Sequence, residues 1–343
     1  MRPPTGHAVP GRLLLTLLLL ITAGIVAATV GILLFILREA PGTPTQPPVT
    51  VIIERGWGLG MIAQTLEEAG VIADRRGFVL LAKKYNVAAK LKAGEYAIKH
   101  GLPLRDVMDQ IAGGYTVLHK FTVLPGQTAG QVAAKLRRVG LDPKNVADKL
   151  IIDKVFCRRL GVPGRRLEGF VYPETYTYQR GADAKKLLTM MVRQFQKVWR
   201  ENLAQDAAGR KMGLLDVVIL ASIIEKETAH QLERPMIARV FLNRLAINMR
   251  LQADPTVIYA LGRGYNGNLT RAHLRQDHPY NTYTRKGLPP GPICNPSLDS
   301  MKAVLQPATG NWKYFVATGR GNHEFSASYK DHVNAINKYQ RRR

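Results

Sequence analysis

Cysteine is nearly absent from the 343 residues: only Cys157 and Cys294 occur, in no CxxC pair and at no zinc-ligand spacing from a histidine. That excludes a disulfide framework and argues against a structural zinc site. Two states stay open for the pair, separate thiols or one long-range disulfide in an oxidising compartment. The chain also lacks HExxH, G-x-S-x-G and Walker signatures, which removes the usual anchors for metalloprotease, serine hydrolase and NTPase readings. GRGYNG at 262–267 is too loose for a phosphate cradle and reads as a turn. His230, His273, His278 and His323 have no ligand spacing and read as surface or loop residues. Acids are scarce as well, 25 against 49 Lys and Arg, for a formal charge of +24. Such a surplus favours an anionic partner, whether nucleic acid, acidic lipid or acidic polymer.

What the chain does have, first, is a long uncharged run: LLLTLLLLITAGIVAATVGILLFIL, residues 13–37. As a helix it would be about 37 Å long, enough to cross a bilayer. A signal-peptide core runs about 7–15 residues before a small-x-small cleavage site; this run is longer and ends in FILREAPG, so an uncleaved transmembrane helix is expected. Arg2 and Arg12 precede it, whereas Arg38 and Glu39 cancel, which places the N-terminus in the cytoplasm by the positive-inside rule. An exported basic domain beside a membrane meets acidic lipid and wall polymer before DNA. With no zinc finger, RNP-type motif or long basic helix, nucleic acid is not expected as a partner.

The organisation read from the sequence is a cytoplasmic N-terminus (1–12), the transmembrane helix (13–37), a Pro/Thr-rich linker (38–49), a first small domain (50–118), a second strand-helix unit with a connecting segment (119–205), and a terminal domain (206–343). An internal repeat underlies the middle. VIIERGWGLGMIAQTLEEAGVI (51–72) and FTVLPGQTAGQVAAKLRRVGLD (121–142) align without gaps at an offset of 70 residues. The alignment pairs Gly56 with Gly126, Gly60 with Gly130, Ala63 with Ala133, Leu66 with Leu136 and Gly70 with Gly140. Each copy reads as a strand, a glycine turn, a helix and a C-terminal glycine; coincidental glycines in two ordinary α/β pieces are the plainer alternative. LKAGEYAI (91–98) reads as a strand after a turn.

RRLEGFVYPETYTYQRG (165–181) is dense in aromatics, and its YTY alternation suggests a strand or extended loop. Those aromatics are either core staples or a sugar-stacking groove. Helices follow: Leu187, Met191, Phe195 and Val198 form one stripe, LLDVVILASIIEKETA reads as a more fully buried helix, and Pro235 suits the first turn of another. Asp254, before a proline, is expected to cap a helix at 256–260. WKYFVATGRGNHEFSAS reads as a β-hairpin turning at TGRGN. The fold class is α+β, with a helical core and a hairpin tail.

The chemistry candidates sit in IIEKET. Glu225 and Glu227 differ by about 200° on a helix, so they cannot face one site together. Glu225 stacks over Ser222, Ala221 and Val218, a small face with room for a ligand. Glu227 stacks over Ile224, Ile223 and Leu220, which reads as core. Helix phase therefore favours Glu225 as the acid. A carboxyl at the end of a buried helix loses hydration and meets the negative end of the macrodipole, so its pKa rises and it can donate a proton near neutrality. The plain alternative is a solvated helix end.

LASIIEKETA, FLNRLAINMRLQADPTVIYAL, YNTYTRKGLPPGPICNPS and the upstream LEGFVYPETY occur in an order that resembles the YceG-like (MltG) family of endolytic murein transglycosylases. The resemblance implies a membrane-anchored protein of the inner membrane with its catalytic domain in the periplasm. It implies a LysM-like βα N-terminal subdomain and cleavage of the MurNAc–GlcNAc β-1,4 bond of nascent peptidoglycan glycan strands to leave a 1,6-anhydro-MurNAc end. It carries the catalytic role to Glu225, and makes Gln252, Asp254, Tyr280, Asn281 and Tyr283 candidate walls of the cleft. It implies no metal or cofactor, with peptidoglycan synthases (penicillin-binding proteins) as partners. A single glutamic acid could suffice because the sugar's own C6 hydroxyl serves as nucleophile. A non-catalytic wall-binding scaffold for synthases is the reading from a different class.

Overall fold

The computed structural model describes residues 11–36 and 46–340. Residues 37–45, with most of the expected linker, lie outside them. Contacts divide the chain into two units, one running to His119 and including 179–181, the other holding Lys120–Tyr178 and 182 onward.

The first unit opens with α1 (Gly11–Ile36), 26 residues long. Its large apolar side chains from Leu15 to Val30 are exposed. Side chains of α1 are described for 15–31 only, and among the described residues no helix is long and apolar enough to cross a membrane. Next come β1 (Val49–Ile53), α2 (Leu59–Glu68), α3 (Arg75–Lys84), β2 (Gly94–Ile98) and α4 (Leu104–Gly113). The two strands pair antiparallel, Val51 opposite Tyr96, and the order is βααβ plus one helix. Alternation puts Val51 and Ile53 inward with Tyr96 and Ile98, where Leu66, Phe78, Val107 and Ile111 meet them. The buried Tyr96 hydroxyl donates to the carbonyl oxygens of Lys92 and Ile111 at 2.7 and 3.2 Å, which satisfies it inside that core.

The second unit begins with β3 (Leu118–Thr122) and α5 (Ala129–Arg138), then α6 (Val146–Leu150), α7 (Lys154–Arg159), β4 (Thr175–Gln179), α8 (Ala184–Asn202) and α9 (Ala204–Gly209). It continues through α10 (Leu214–Glu227), α11 (Arg234–Ala246), α12 (Asp254–Leu261), α13 (Arg271–Arg275) and α14 (Leu298–Leu305), and closes with β5 (Tyr314–Ala317), β6 (His323–Ser326) and α15 (Tyr329–Tyr339). β3 pairs with β4 and β5 with β6, the hairpin register setting Phe315 opposite Phe325. One apolar core runs from Phe121 to Leu305, so 119–205 and 206–343 share it. The α8 stripe of Leu187, Met191 and Phe195 is buried there, as are Phe170 and Tyr176 of the aromatic segment. Phe170 meets Phe195 edge-on at 5.0 Å, the core-staple role. Cys157 and Cys294 are both buried free thiols.

The repeat is structural. α2 and α5 begin and end 70 positions apart (59 to 129, 68 to 138). Gly56 and Gly126 both take positive φ (+88° and +78°), as do Gly70 and Gly140 (+68° and +78°). A Cβ would strain these turns. The copies differ in how they start: Thr128 and Gln131 form a capping box, whereas Gly58 offers no side-chain cap.

Candidate active site

α10 is the central helix of the site, buried from Val217 through Ile224. Its small face is filled by polypeptide. Ser222 Oγ accepts the Ile293 N–H at 3.0 Å, and the Cys294 thiol donates to the Ser222 carbonyl oxygen at 3.3 Å. Gly169 sits so close that a Cβ there would lie 2.5 Å from Pro292 and 2.7 Å from Val218. The small residues under Glu225 thus admit chain segments in close contact.

Glu225 is consumed by this packing. Its Oε2 accepts Ser297 N–H at 2.9 Å, Ser297 Oγ at 2.6 Å and Ser300 Oγ at 2.7 Å. Its Oε1 accepts Arg234 Nη2 at 3.2 Å, and the side chains of Glu225 and Arg234 are 5% and 9% exposed. Four donors engage this carboxylate, three on Oε2 and one on Oε1. The residue ties the end of α10 to the starts of α11 and α14, where Ser297 is the N-cap. It lines neither of the two large cavities of this unit.

Glu227, the last residue of α10, faces one of them. That cavity, about 410 Å³, is lined by Glu227, Arg244, Gln252, Asp254, Tyr283 and His323 among others. Among the described residues no hydrogen bond or ion pair engages the Glu227 carboxyl. The residue keeps partial exposure at the cavity, yet protein surrounds the carboxyl closely. Lost hydration first, and repulsion by the Asp254 carboxylate second, push its pKa up to about 8, with the Arg244 charge opposing. Arg244 does not neutralise it. The guanidinium donates to the carbonyl oxygens of Lys313 and Leu251, both at 2.6 Å, and lies 5.5 Å from the Tyr314 ring centre.

The wall opposite is set by backbone. Gln252 adopts φ +49°, a strained value for a residue with a Cβ and one that clusters at functional sites. It is held by Gln252 N–H to Thr282 O at 3.1 Å, and Ala253 N–H to Thr282 Oγ1 at 2.9 Å holds the next residue. Asp254 is not the cap the sequence suggested. Ala253 occupies that place, and Asp254, in the first turn of α12, accepts the Tyr283 hydroxyl at 2.5 Å.

The five expected wall residues therefore divide. Gln252, Asp254 and Tyr283 meet in the Glu227 cavity. Tyr280 instead packs on Tyr259 at 5.0 Å between ring centres. Asn281 is buried, its Nδ2 donating to the carbonyl oxygens of His273, Leu274 and Gln276 and its Oδ1 accepting Tyr283 N–H. It fixes the loop that presents Tyr283 and has no polar atom left for substrate. His323, expected to be an ordinary loop histidine, lines the cavity and pairs through Nδ1 with Glu233 at 2.7 Å, which docks the hairpin beside α11. No metal cluster of His, Cys, Asp or Glu exists among the described residues.

A second cavity of about 980 Å³ lies on the other side of Lys226 and Pro255, lined also by Gln131, Arg166, Glu168, Tyr259 and Arg263. Glu168, from the LEGFVYPETY segment, is buried and accepts Ala129 N–H at 2.9 Å and the Tyr259 hydroxyl at 3.2 Å. Burial pushes its pKa up to about 7 against those hydrogen bonds.

Residues 51–338 match the profile of the YceG-like family. A Bacillus subtilis (strain 168) protein named endolytic murein transglycosylase is 30% identical over 322 residues, 88% of this chain and 88% of that one. A Streptococcus pneumoniae protein of the same name is 29% identical, over 83% of this chain and 57% of that one. The crystal structure of a yceG-like protein from Listeria monocytogenes, 33% identical, superposes with a TM-score of 0.59 over 83% of this chain and 98% of that chain.

Proposed function

The chain belongs to the YceG-like family, and we propose that it is an endolytic lytic transglycosylase of peptidoglycan whose single acid and base is Glu227. The activity is supported by the name its relatives carry. The residue assignment rests on one observation: a carboxyl with no partner among the described residues, its pKa at about 8, beside Asp254 in the cavity it shares with Gln252 and Tyr283.

Near neutrality Glu227 is protonated and donates to O4 of the leaving GlcNAc as the bond from C1 of MurNAc breaks. Positive charge develops at C1 and the ring oxygen, and the Asp254 carboxylate, steadied by Tyr283, lies on the side that stabilises it. The C6 hydroxyl of the same MurNAc then bonds to C1, and the Glu227 carboxylate takes its proton, which restores the acid. The product ends in 1,6-anhydro-MurNAc and no water is consumed. Attack by a hydroxyl of the same sugar carries a proximity advantage that stands in for the second carboxylate of hydrolases. Cuts of this kind in nascent strands would end their elongation.

The remaining elements fit the same reading. α1 serves as the single-pass anchor, its exposed apolar side chains needing a nonaqueous environment, with the catalytic unit on the periplasmic face near peptidoglycan synthases. The βααβ order of the first unit is LysM-like and would add glycan contact. Mass spectrometry of products from defined uncrosslinked strands tests the chemistry. Ends lighter by one water are expected, whereas hydrated ends would mean that Asp254 activates water. Recovery of a mature protein beginning near residue 40 would remove the anchor.

A further inference from the structure

We infer that the 980 Å³ cavity beside α12 holds the carboxylates of the peptides that peptidoglycan carries on its muramic acid residues, so that the enzyme selects strands by peptide charge. This rests on the function proposed above. Three cations line the cavity from three separate segments: Arg166 before the aromatic stretch, Lys226 on α10 and Arg263 after α12. All three are exposed, and none has an ion pair or hydrogen bond among the described residues. Arg137 lines it too, but is already bonded to Asp148. The one other acid, Glu168, is buried and turned to Ala129 N–H and the Tyr259 hydroxyl.

Of these three positive groups only Arg166 has an acid of the cavity acting on it, the buried Glu168, so the lining as a whole favours an anion. Neutral sugar rings would not call for them. The cavity is also more than twice the size of the 410 Å³ acid cavity, and lies within the range of ligand sites, roughly 300–1,000 Å³. Position links the two. Lys226 and Glu227 are consecutive, as are Asp254 and Pro255, and each pair divides between the cavities. On the proposed reading, a strand whose MurNAc lies at Glu227 extends its peptide past these shared segments toward the cations.

A phosphate would be a poorer fit. The start of α5, which borders this cavity, is partly spent within the protein: Ala129 N–H on Glu168 and Gln131 N–H on Thr128 Oγ1. The cations stand apart on separate segments, which suits carboxylates spread along a peptide better than one compact oxyanion.

The test uses the full-length Glu227→Gln protein in detergent, which keeps substrate uncut, and two soluble disaccharide-peptides that differ only in whether the peptide carboxylates are free or amidated. Calorimetry is expected to show the free-acid form binding about tenfold tighter, with the preference weakening as salt rises. Adding Arg166→Gln and Arg263→Gln should bring the ratio close to one, and Arg166→Lys with Arg263→Lys should restore most of it. Equal affinity for the two peptides in the parent overturns the inference. So does an equal loss on both peptides in the glutamine variant, or tighter binding of inorganic pyrophosphate than of the free-acid peptide. Absence of anhydro ends from strands carrying free-acid peptides, with the unmutated enzyme, would instead count against the proposed function and leave this comparison standing.

Discussion

Replacing Glu227 by Gln should abolish cleavage and stabilise the protein, and the two effects come from one cause. The carboxyl has a pKa of about 8 in the fold against 4.5 for a freely solvated glutamic acid. A raised folded-state value favours folding below the unfolded pKa, and that contribution is lost as pH climbs from 4.5 through 8. At pH 7 the fold forces protonation of a group that would ionise in the unfolded chain, at a cost of about 3 kcal/mol. Gln keeps the shape and cannot ionise, so the variant should unfold at a Tm higher by roughly 6–12 °C at pH 7. The gap should close toward pH 4. Activity should drop by about 10²- to 10⁴-fold, the usual share of general acid–base catalysis. Glu225→Gln should do the opposite to stability: Arg234 would stay buried with only the half-exposed Asp299 carboxylate, 3.9 Å away, left to balance its charge, a loss of about 3 kcal/mol. Thermal melts by circular dichroism and release of anhydro-ended products measure both. A stable Glu225→Gln protein that cannot cut, beside a Glu227→Gln protein that can, would refute the reasoning and return the acid to Glu225.

Other outcomes follow from the same geometry. With wild-type enzyme, kcat/KM should fall above pH 8 by about tenfold per unit, because the acid form of Glu227 disappears there; a rate that climbs through pH 9 would contradict this. Asp254→Asn removes the repulsion that helps hold the Glu227 proton, so the alkaline limb should move to lower pH and the rate should fall. Asn281→Ala deprives the Leu274 and Gln276 carbonyl oxygens of the Asn281 amide, while His273 O keeps the Gln276 N–H, and should cost about 2–4 kcal/mol in chemical denaturation, while the pKa read from the rate profile stays in place. Gly169→Ala should cost about 3 kcal/mol or more, since φ is +85° and the new Cβ would meet Pro292 at 2.5 Å; urea melts would record it.

Much of the fold was legible because it rests on local rules. Glycines at Gly56, Gly70, Gly126 and Gly140 mark backbone turns that only their φ values permit, so a gapless pairing of the two segments carried both helix boundaries with it. The α8 stripe and the TGRGN hairpin likewise follow from periodicity and turn chemistry. Three of the five wall residues, Gln252, Asp254 and Tyr283, do share the cavity. Asn281 and Tyr280 stand in the same short motif yet turn inward, because a loop that presents Tyr283 needs a buried amide to satisfy its own carbonyls. Nothing in local spacing separates the residue that faces the cavity from the one that holds the loop. The free state of the two cysteines was equally beyond local rules, since it depends on where two distant segments pack.

The choice between Glu225 and Glu227 turned on what small residues mean. Helix phase correctly sends the two carboxyls to opposite faces, and small side chains under Glu225 correctly mark a face that something approaches closely. In a protein interior that something is most often polypeptide. Here it is the 292–294 segment and Gly169, whose contacts with Val218 and Ser222 need the missing bulk. The same packing brings Ser297, Ser300 and Arg234 onto Glu225, and a carboxyl so fully bonded serves structure. Glu227 follows bulky residues because they finish the core, and the helix ends there, so the carboxyl is released at the core's edge into a cavity where no hydrogen bond among the described residues reaches it and the Arg244 charge only partly offsets its lost hydration. A signal was present in the sequence. An acid placed last on a buried helix, one position before the chain turns extended at Thr228, loses hydration without gaining a partner, which is the condition for a proton donor at neutral pH.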